Sequence, residues 1–208
     1  MQGNPFMDEV IPLGSPLPPF DAHVPLLSLP RLLGTNARTI PQNVPYLFAP
    51  PSQPLPFLAR PKDDLKVGIA WAGKPSHRND RNRSVTLEAF LPLLSVPKTT
   101  FFSLQVGERA ADISRAGLEG LVCDVSPQIQ DYCDTAQIIE QLDLVISVDT
   151  SVLHLAGALG KPAWAALPLV GDWRWGQQGD TSPWYPTMLL FRQSAFNTWD
   201  DVFSDIAK

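Results

Sequence analysis

From residue 66 to the end of the chain, short apolar runs alternate with segments of helical pattern. The predicted strands are residues 66–72, 99–104, 121–124, 144–148, 162–167 and 188–191, and the predicted helices are residues 87–94, 108–116, 131–142, 151–159 and 198–207. Strands that alternate with helices pair in parallel and are covered by helices on both faces. The sequence therefore predicts an α/β fold with a Rossmann-like parallel sheet.

Proline dominates the chain before this region. The 22 prolines of the chain are concentrated in residues 11–61, with runs at 16–19 and 49–51. Proline cannot donate a ladder hydrogen bond and interrupts helices, so this stretch is expected to be irregular. Apolar side chains such as Val24, Leu26 and Phe48 nevertheless punctuate it. We expect a Pro-rich arm, residues 1–61, that needs a partner surface, followed by one domain, residues 62–208.

The composition excludes several classes of function. The formal net charge is −5 and no basic block is present, which disfavours binding to nucleic acid. No Cys/His cluster has the spacing of a metal site, and no apolar run is long enough for a transmembrane segment. No signal peptide is recognisable, so a cytoplasmic location is expected. Cys123 and Cys133 are expected to be buried thiols of a reduced protein.

The clearest predicted strand, 144–148, runs directly into Asp149, Thr150 and Ser151. The carboxyl end of a parallel strand opens onto the ligand crevice, and a helix that begins there directs its free N–H groups and positive dipole end at an anion. His154, one turn further, leans back toward the same point. This pattern favours a phosphate site. In the other interpretation, Asp149 or Thr150 only caps the helix and His154 packs against the sheet.

A cationic loop follows the first predicted strand, at residues 73–84. Lys74, Arg78, Arg81 and Arg83 concentrate positive charge in an acidic protein, and the loop opens on the same sheet edge. Cations beside a helix N-terminus can hold a diphosphate without a metal. The alternative is a solvated charged loop. The chain contains no GxGxxG and no Walker sequence, which disfavours the usual dinucleotide and P-loop sites.

Glu108 follows the second predicted strand. An acidic side chain at this place accepts hydrogen bonds from a ribose diol in many nucleotide folds. Glu108 is also a favourable first-turn acid of its own helix. Both interpretations are open.

An aromatic loop covers residues 171–186, with Trp173, Trp175, Trp184 and Tyr185. These rings can stack on a sugar or base, or they can wedge the loop onto the core. Core wedging is the favoured interpretation.

Taken in order, these segments resemble the C-terminal half of heptosyltransferase-like GT-B glycosyltransferases. The resemblance is closest to the bacterial TPR-linked branch, which is similar to O-linked N-acetylglucosamine transferases. It covers roughly residues 66–208, and FDAHVPLLSLP at 20–30 resembles the segment that crosses between the two GT-B domains. The motifs are VGIAWAG at 67–73, NDRNRS at 79–84, FSLQ at 102–105, DLVISVDT at 143–150, HLAGALGKP at 154–162, DWRW at 172–175 and SPWYP at 182–186.

The resemblance implies a role for individual residues. Thr150, Ser151 and His154 would hold the diphosphate of a nucleotide-sugar donor, and Arg83 is the best match to a basic residue that does the same. Lys74 is a weaker candidate. Glu108 would bind the ribose, and the base would lie against Ile129, Gln130 and Asp131. No metal or other cofactor is implied.

The resemblance also implies that a large part of the enzyme is absent. In the family, the catalytic base and the acceptor site lie in an N-terminal Rossmann domain, which this chain largely lacks. No residue here is therefore assigned as catalytic, and the acceptor is unidentified. We expect a donor-binding half that depends on a missing N-terminal half or a TPR region. The alternative is a non-catalytic nucleotide-binding module of a larger assembly.

Overall fold

The computed structural model describes residues 4–59 and 63–208. A parallel sheet of six strands forms the centre, in the order β3-β2-β1-β4-β5-β6. The strands are β1 (Leu65–Ala70), β2 (Thr99–Ser103), β3 (Val122–Asp124), β4 (Leu144–Val148), β5 (Ala163–Leu167) and β6 (Met188–Arg192). The predicted Rossmann-like parallel sheet is confirmed, and each predicted strand is found within two residues of its expected ends.

The helices are short. They are α1 (Leu29–Leu32), α2 (Asp80–Arg83), α3 (Leu91–Leu94), α4 (Asp112–Arg115), α5 (Tyr132–Glu140), α6 (Ser151–Ala158) and α7 (Trp199–Ile206). The helix predicted at 87–94 begins as a 3₁₀ turn, Leu87–Phe90, because Pro92 has no N–H to donate to the preceding turn. Thr86 precedes that turn, and its side chain does not cap it.

The sheet buries an apolar core on each face, because alternate strand residues point to opposite sides. Ile69, Phe101 and Ile146 pack on one side with α3, α4 and α7. Phe102, Val145 and Leu167 pack on the other side with α5 and α6. The expectation of helices on both faces is confirmed.

Residues 13–33 of the proline-rich arm are irregular and largely exposed, as predicted. Its one α-helix within residues 4–59, α1, buries none of its residues. Large apolar side chains lie in water along this part, with Leu13, Leu26 and Leu27 more than three-quarters exposed.

Residues 44–58 of the arm pack on the domain of this same chain, which supplies part of the partner surface that the arm was expected to need. The N–H groups of Tyr46 and Leu47 both donate to the carbonyl of Ala158, at 2.9 and 3.2 Å. Leu55 N donates to Gln141 Oε1 at 2.8 Å, and Leu58 is only 2% exposed. Proline prevents regular structure here, but it does not prevent apolar side chains from packing along α5 and α6. The proposed boundary at residues 61 and 62 lies outside the described residues.

The cysteines are less buried than expected. Cys133 is exposed in the first turn of α5, and Cys123 is half-buried. The prediction that both thiols are buried is therefore wrong, because the residues that α5 buries are Thr135, Ala136, Ile138 and Ile139 and not Cys133. No helix of the described residues is both long and apolar enough to cross a membrane.

Candidate functional site

A cavity of about 720 Å³ opens at the carboxyl ends of β1, β2 and β4. The strand order reverses between β1 and β4, and open α/β sheets bind ligands in the crevice at such a point. Five of the predicted site residues line this cavity, namely Lys74, Arg83, Glu108, Thr150 and Ser151. The structure therefore brings together residues from three separate loops. We call this space the switch-point cavity.

The start of α6 forms one wall of the switch-point cavity. Thr150 is the N-cap residue with extended backbone, but its side chain does not cap the helix. Its hydroxyl instead lies 2.9 Å from the hydroxyl of Ser147. The side chain of Thr150 thus leaves the first N–H groups of α6 without a cap, and these groups are suited to an anion. The interpretation in which Thr150 merely caps the helix is not supported by this geometry.

Arg83 connects the cationic loop with the start of α6. Its Nη1 donates to the carbonyl oxygen of Asp149 at 2.7 Å, and its Nε lies 3.5 Å from Asp80 Oδ1. The side chain is 14% exposed. The loop was predicted without regular structure, but residues 80–83 form the short helix α2, which carries Arg83 inward. Lys74 is exposed at the mouth of the cavity, whereas Arg78 and Arg81 do not line it.

Gln105 is a buried wall residue to which sequence reasoning gave no separate role. Its Oε1 accepts hydrogen bonds from the N–H groups of Trp71 and Ala72, at 3.1 and 2.9 Å. These bonds tie the end of β1 to the loop after β2 and so fix the floor of the cavity. The sequence feature that could have indicated this role is a single amide side chain directly after an apolar strand, at the end of the FSLQ motif.

The position of Glu108 leaves both interpretations open. It lies in the first turn of the 3₁₀ segment Gly107–Ala111, where an acid is favourable, and its side chain is exposed at the switch-point cavity.

A second cavity, of about 560 Å³, lies between the arm and the helices α5 and α6. Aromatic and imidazole rings make up much of its wall: Tyr46, Phe48, Tyr132, His154 and Tyr185. Ser151 lines both cavities, so the first residue of α6 lies at the border between them. We call this space the aromatic cavity.

His154 lies in the aromatic cavity and not in the switch-point cavity. Its ring stacks on Trp175, with centroids 5.0 Å apart, and its Nδ1 lies 3.1 Å from the hydroxyl of Tyr185. Its Nε2 lies 3.8 Å from Asp149 Oδ1. Burial lowers the pKa of His154 despite the opposing effect of the Asp149 carboxylate. Burial thus favours the neutral imidazole, and His154 packs on the aromatic loop rather than on the sheet.

Gln130 and Asp131 line neither cavity. The carboxylate of Asp131 caps α5 by accepting from the N–H groups of Cys133 and Asp134, at 2.6 and 3.1 Å. The N–H of Gln130 donates to Asp134 Oδ2 at 2.8 Å. The residues that follow them, Tyr132 and Cys133, do line the aromatic cavity. The predicted base-binding segment thus borders that cavity, but not through the two side chains named from the sequence.

In the aromatic loop, some rings are wedged into the core and others are exposed to solvent. Trp175 and Tyr185 are buried in the core, as the favoured interpretation predicts. The ring of Tyr185 lies directly on Gly157 of α6, where any larger residue would overlap it. Trp173 is 69% exposed, with its ring edge-on to Trp184 and under the guanidinium of Arg174.

Metal ligands do not gather in the described part of the chain. Among residues 4–59 and 63–208, no group of three or more His, Cys, Asp or Glu side chains is placed to hold an ion.

No protein-family model matches this chain. Among curated proteins, Protein FlbA of Caulobacter vibrioides is 27% identical over 147 residues, which is 68% of this chain and 24% of that protein. The chain thus spans about a quarter of the length of this relative.

Solved structures with partial likeness include three glycosyltransferases or polymerases. ADP-heptose LPS heptosyltransferase II of E. coli has a TM-score of 0.43 at 13% identity, over 70% of this chain and 43% of its own. The C-terminal domain of a group 1 family glycosyl transferase (LpcC) from Francisella tularensis has a TM-score of 0.41 at 16% identity. The match covers 69% of this chain and 80% of that domain. The wall teichoic acid polymerase TagF has a TM-score of 0.37 at 19% identity. The match covers 52% of this chain and 26% of the polymerase chain.

Proposed function

We propose that this chain binds the diphosphate of a nucleotide-sugar, as the donor-binding half of a GT-B glycosyltransferase. One observation carries the proposal: the uncapped start of α6, Arg83 and Lys74 meet in one cavity at the switch point of the sheet. Helix N–H groups and guanidinium donors are the usual partners of phosphate oxygens. The sequence resemblance to heptosyltransferase-like enzymes, closest to the TPR-linked branch, supports the same ligand.

Electrostatics supports an anionic ligand in the switch-point cavity. The chain as a whole carries a formal charge of −5, yet this cavity has Lys74, Arg83 and Arg109 in its wall against Glu108 alone. Arg109 is paired with Asp112 at 3.0 Å, whereas the contact of Arg83 with Asp80 is longer, at 3.5 Å, and Arg83 also hydrogen-bonds to the residue before Thr150, so we assign Arg83 and Lys74 to the ligand. With two cations and a helix start in place, a diphosphate is neutralised without a metal ion.

The two cavities suit the two halves of a nucleotide-sugar. With the diphosphate at Ser151, which borders both, the donor extends into each cavity. The base goes to the aromatic cavity, whose rings offer stacking surfaces next to Tyr132. The sugar goes to the switch-point cavity, where the exposed carboxylate of Glu108 can accept hydrogen bonds from its hydroxyls. In this arrangement Glu108 binds the transferred sugar rather than the ribose, because it borders a different cavity from the base-binding segment.

The proposed reaction is transfer of the sugar to an acceptor. This half of the enzyme contributes by stabilising the negative charge that develops on the departing diphosphate. The base catalyst and the acceptor site are expected in an N-terminal domain, so turnover by this chain alone is expected to be slow or absent.

A thermal-shift panel of ADP-, UDP-, GDP- and CDP-sugars tests the proposal on the chain as it is. We expect at least one base to raise the Tm, with no change on addition of EDTA. Arg81→Ala is a matched control for Arg83→Ala, because both residues lie on α2 but Arg81 is exposed and outside the cavity. No shift with any nucleotide-sugar would refute the proposal.

A further inference from the structure

We infer that Gly73 and Asp80 are positioning residues for Arg83, which hold its guanidinium at the start of α6. The inference rests on the proposed function, because it concerns how the diphosphate site is prepared before the ligand arrives. The charged loop was predicted to supply cations, but nothing in its sequence indicated how one of them is held in place.

Gly73 provides the space that the Arg83 side chain occupies. A Cβ atom at residue 73 would lie 2.7 Å from Cζ of Arg83 and 2.7 Å from Oδ1 of Asp80. Both distances are far below van der Waals contact. Any side chain at residue 73 would therefore displace the guanidinium, and with it the hydrogen bond to Asp149.

Asp80 lies beside the guanidinium and carries the opposite charge. Its Oδ1 lies 3.5 Å from Arg83 Nε and accepts a 3.0 Å hydrogen bond from the hydroxyl of Ser84. The same hydroxyl accepts from the N–H of Gly73 at 2.9 Å. A continuous series of contacts thus runs from Gly73, just after β1, through Ser84 and Asp80 to Arg83.

This arrangement prepares the cation for its ligand. A long, flexible side chain that is already fixed loses less conformational freedom when it binds. The Nη1 of Arg83 contacts the residue that precedes Thr150, so the guanidinium lies beside the free N–H groups of α6. The nucleoside half of the donor lies on the other side of Ser151 and should not sense the change.

Gly73→Ala isolates this role, because the variant can fold. The backbone of Gly73 is not in the left-handed region, and its N–H remains available to Ser84. The atoms that must move are the ends of two flexible side chains. Gly120→Ala is the matched control, since Gly120 is exposed, is also outside the left-handed region and has no heavy atom within 4 Å of an added Cβ.

The experiment is a calorimetric titration with the nucleoside diphosphate whose base binds best, and with the corresponding nucleoside. We expect Gly73→Ala to weaken diphosphate binding about tenfold, as expected for a lost bond to a charged group. Nucleoside affinity should not change. The double variant Gly73→Ala/Arg83→Ala should bind no more weakly than Arg83→Ala alone, since both act through one side chain.

The outcomes separate this inference from the proposed function. If Arg83→Ala weakens diphosphate binding but Gly73→Ala matches Gly120→Ala, the positioning role is wrong and the diphosphate site stands. Additive losses in the double variant would also overturn the positioning role. If Arg83→Ala itself changes nothing, the proposed site fails and the inference fails with it. If Gly73→Ala does not fold, Asp80→Ala tests the same role. We expect it to weaken diphosphate binding about as much as Gly73→Ala, and to add no further loss in a double variant with Arg83→Ala.

Discussion

Nη1 of Arg83 donates a 2.7 Å hydrogen bond to the carbonyl oxygen of Asp149, which joins the loop after β1 to the residue before Thr150 at the start of α6. The two residues are 66 positions apart in the chain, but their strands are neighbours across the switch point. This bond brings a cation to a helix N-terminus that has no side-chain cap. The proposed site depends on this relationship.

Thr150→Ala should weaken nucleotide binding by about 1–2 kcal/mol, which is typical of a hydrogen bond to a charged group. The hydroxyl of Ser147 donates to the carbonyl of Val148, so the hydroxyl of Thr150 donates to Ser147 and has to turn toward the cavity to donate to a phosphate oxygen. The fold should survive, because this hydroxyl does not cap α6. Calorimetry measures the loss. Thr86→Ala is the control, since Thr86 also precedes a helical turn without capping it, and equal affinity in the two folded variants would remove Thr150 from the site.

Arg83→Ala should weaken binding of a nucleoside diphosphate much more than binding of the bare nucleoside, because its partner is charge rather than base. A loss of about tenfold or more is expected for the diphosphate. Parallel titrations of both ligands measure the difference, with Arg81→Ala as the exposed control. An equal loss for nucleoside and diphosphate would place Arg83 outside the phosphate site.

Tyr132→Ala should show the opposite pattern. Tyr132 is exposed and lines the aromatic cavity, where we place the base. Loss of a stacking surface should weaken nucleoside and diphosphate by the same factor. The same pair of titrations measures this. A variant that loses only diphosphate affinity would show that the base does not lie in the aromatic cavity.

The stability of the fold should fall in mild acid because of His154. Burial lowers the pKa of His154, so the unfolded chain binds a proton more readily than the folded one. The stability that the neutral His154 side chain provides is fully present above pH 6.5, the ordinary pKa of histidine. It is lost progressively as the pH falls from 6.5 toward the lowered pKa of the folded protein. Urea unfolding across this range measures it. His154→Gln should flatten the pH dependence, whereas the exposed control His23→Gln should leave it unchanged.

Limited proteolysis should cleave the arm before its packed part. Residues 13–33 are largely exposed, whereas Tyr46, Leu47 and Leu58 contact the domain. The resistant fragment is therefore expected to begin shortly before Tyr46, and mass spectrometry locates its end. A fragment that begins near residue 62 would show that the packing of the arm on α5 and α6 is not stable in solution.

The sheet could be predicted from the sequence because its strands are continuous apolar runs. Residues 144–148 are all buried, and a run of this kind is recognisable without knowledge of its neighbours. The meeting of Arg83, Glu108 and Thr150 in one cavity followed from a topological rule, since each residue comes shortly after the end of a parallel strand.

The rest of the site depends on contacts that leave no local pattern. The aromatic cavity takes part of its wall from Tyr46 and Phe48, whose packing on α5 and α6 is set by the whole fold. The carboxylate of Asp131 was assigned to a ligand, but it caps its own helix, a competing use that any acid at a helix start can have. The role of Gly73 appears only when the position of Arg83 is known.

A crystal structure of the chain with a bound nucleoside diphosphate tests the central claim most directly. We predict diphosphate oxygens within about 3 Å of the first N–H groups of α6 and of the Arg83 guanidinium, as in ordinary hydrogen bonds. The base should lie in the aromatic cavity beside Tyr132. A diphosphate held by other residues, with the start of α6 left in water, would contradict the account.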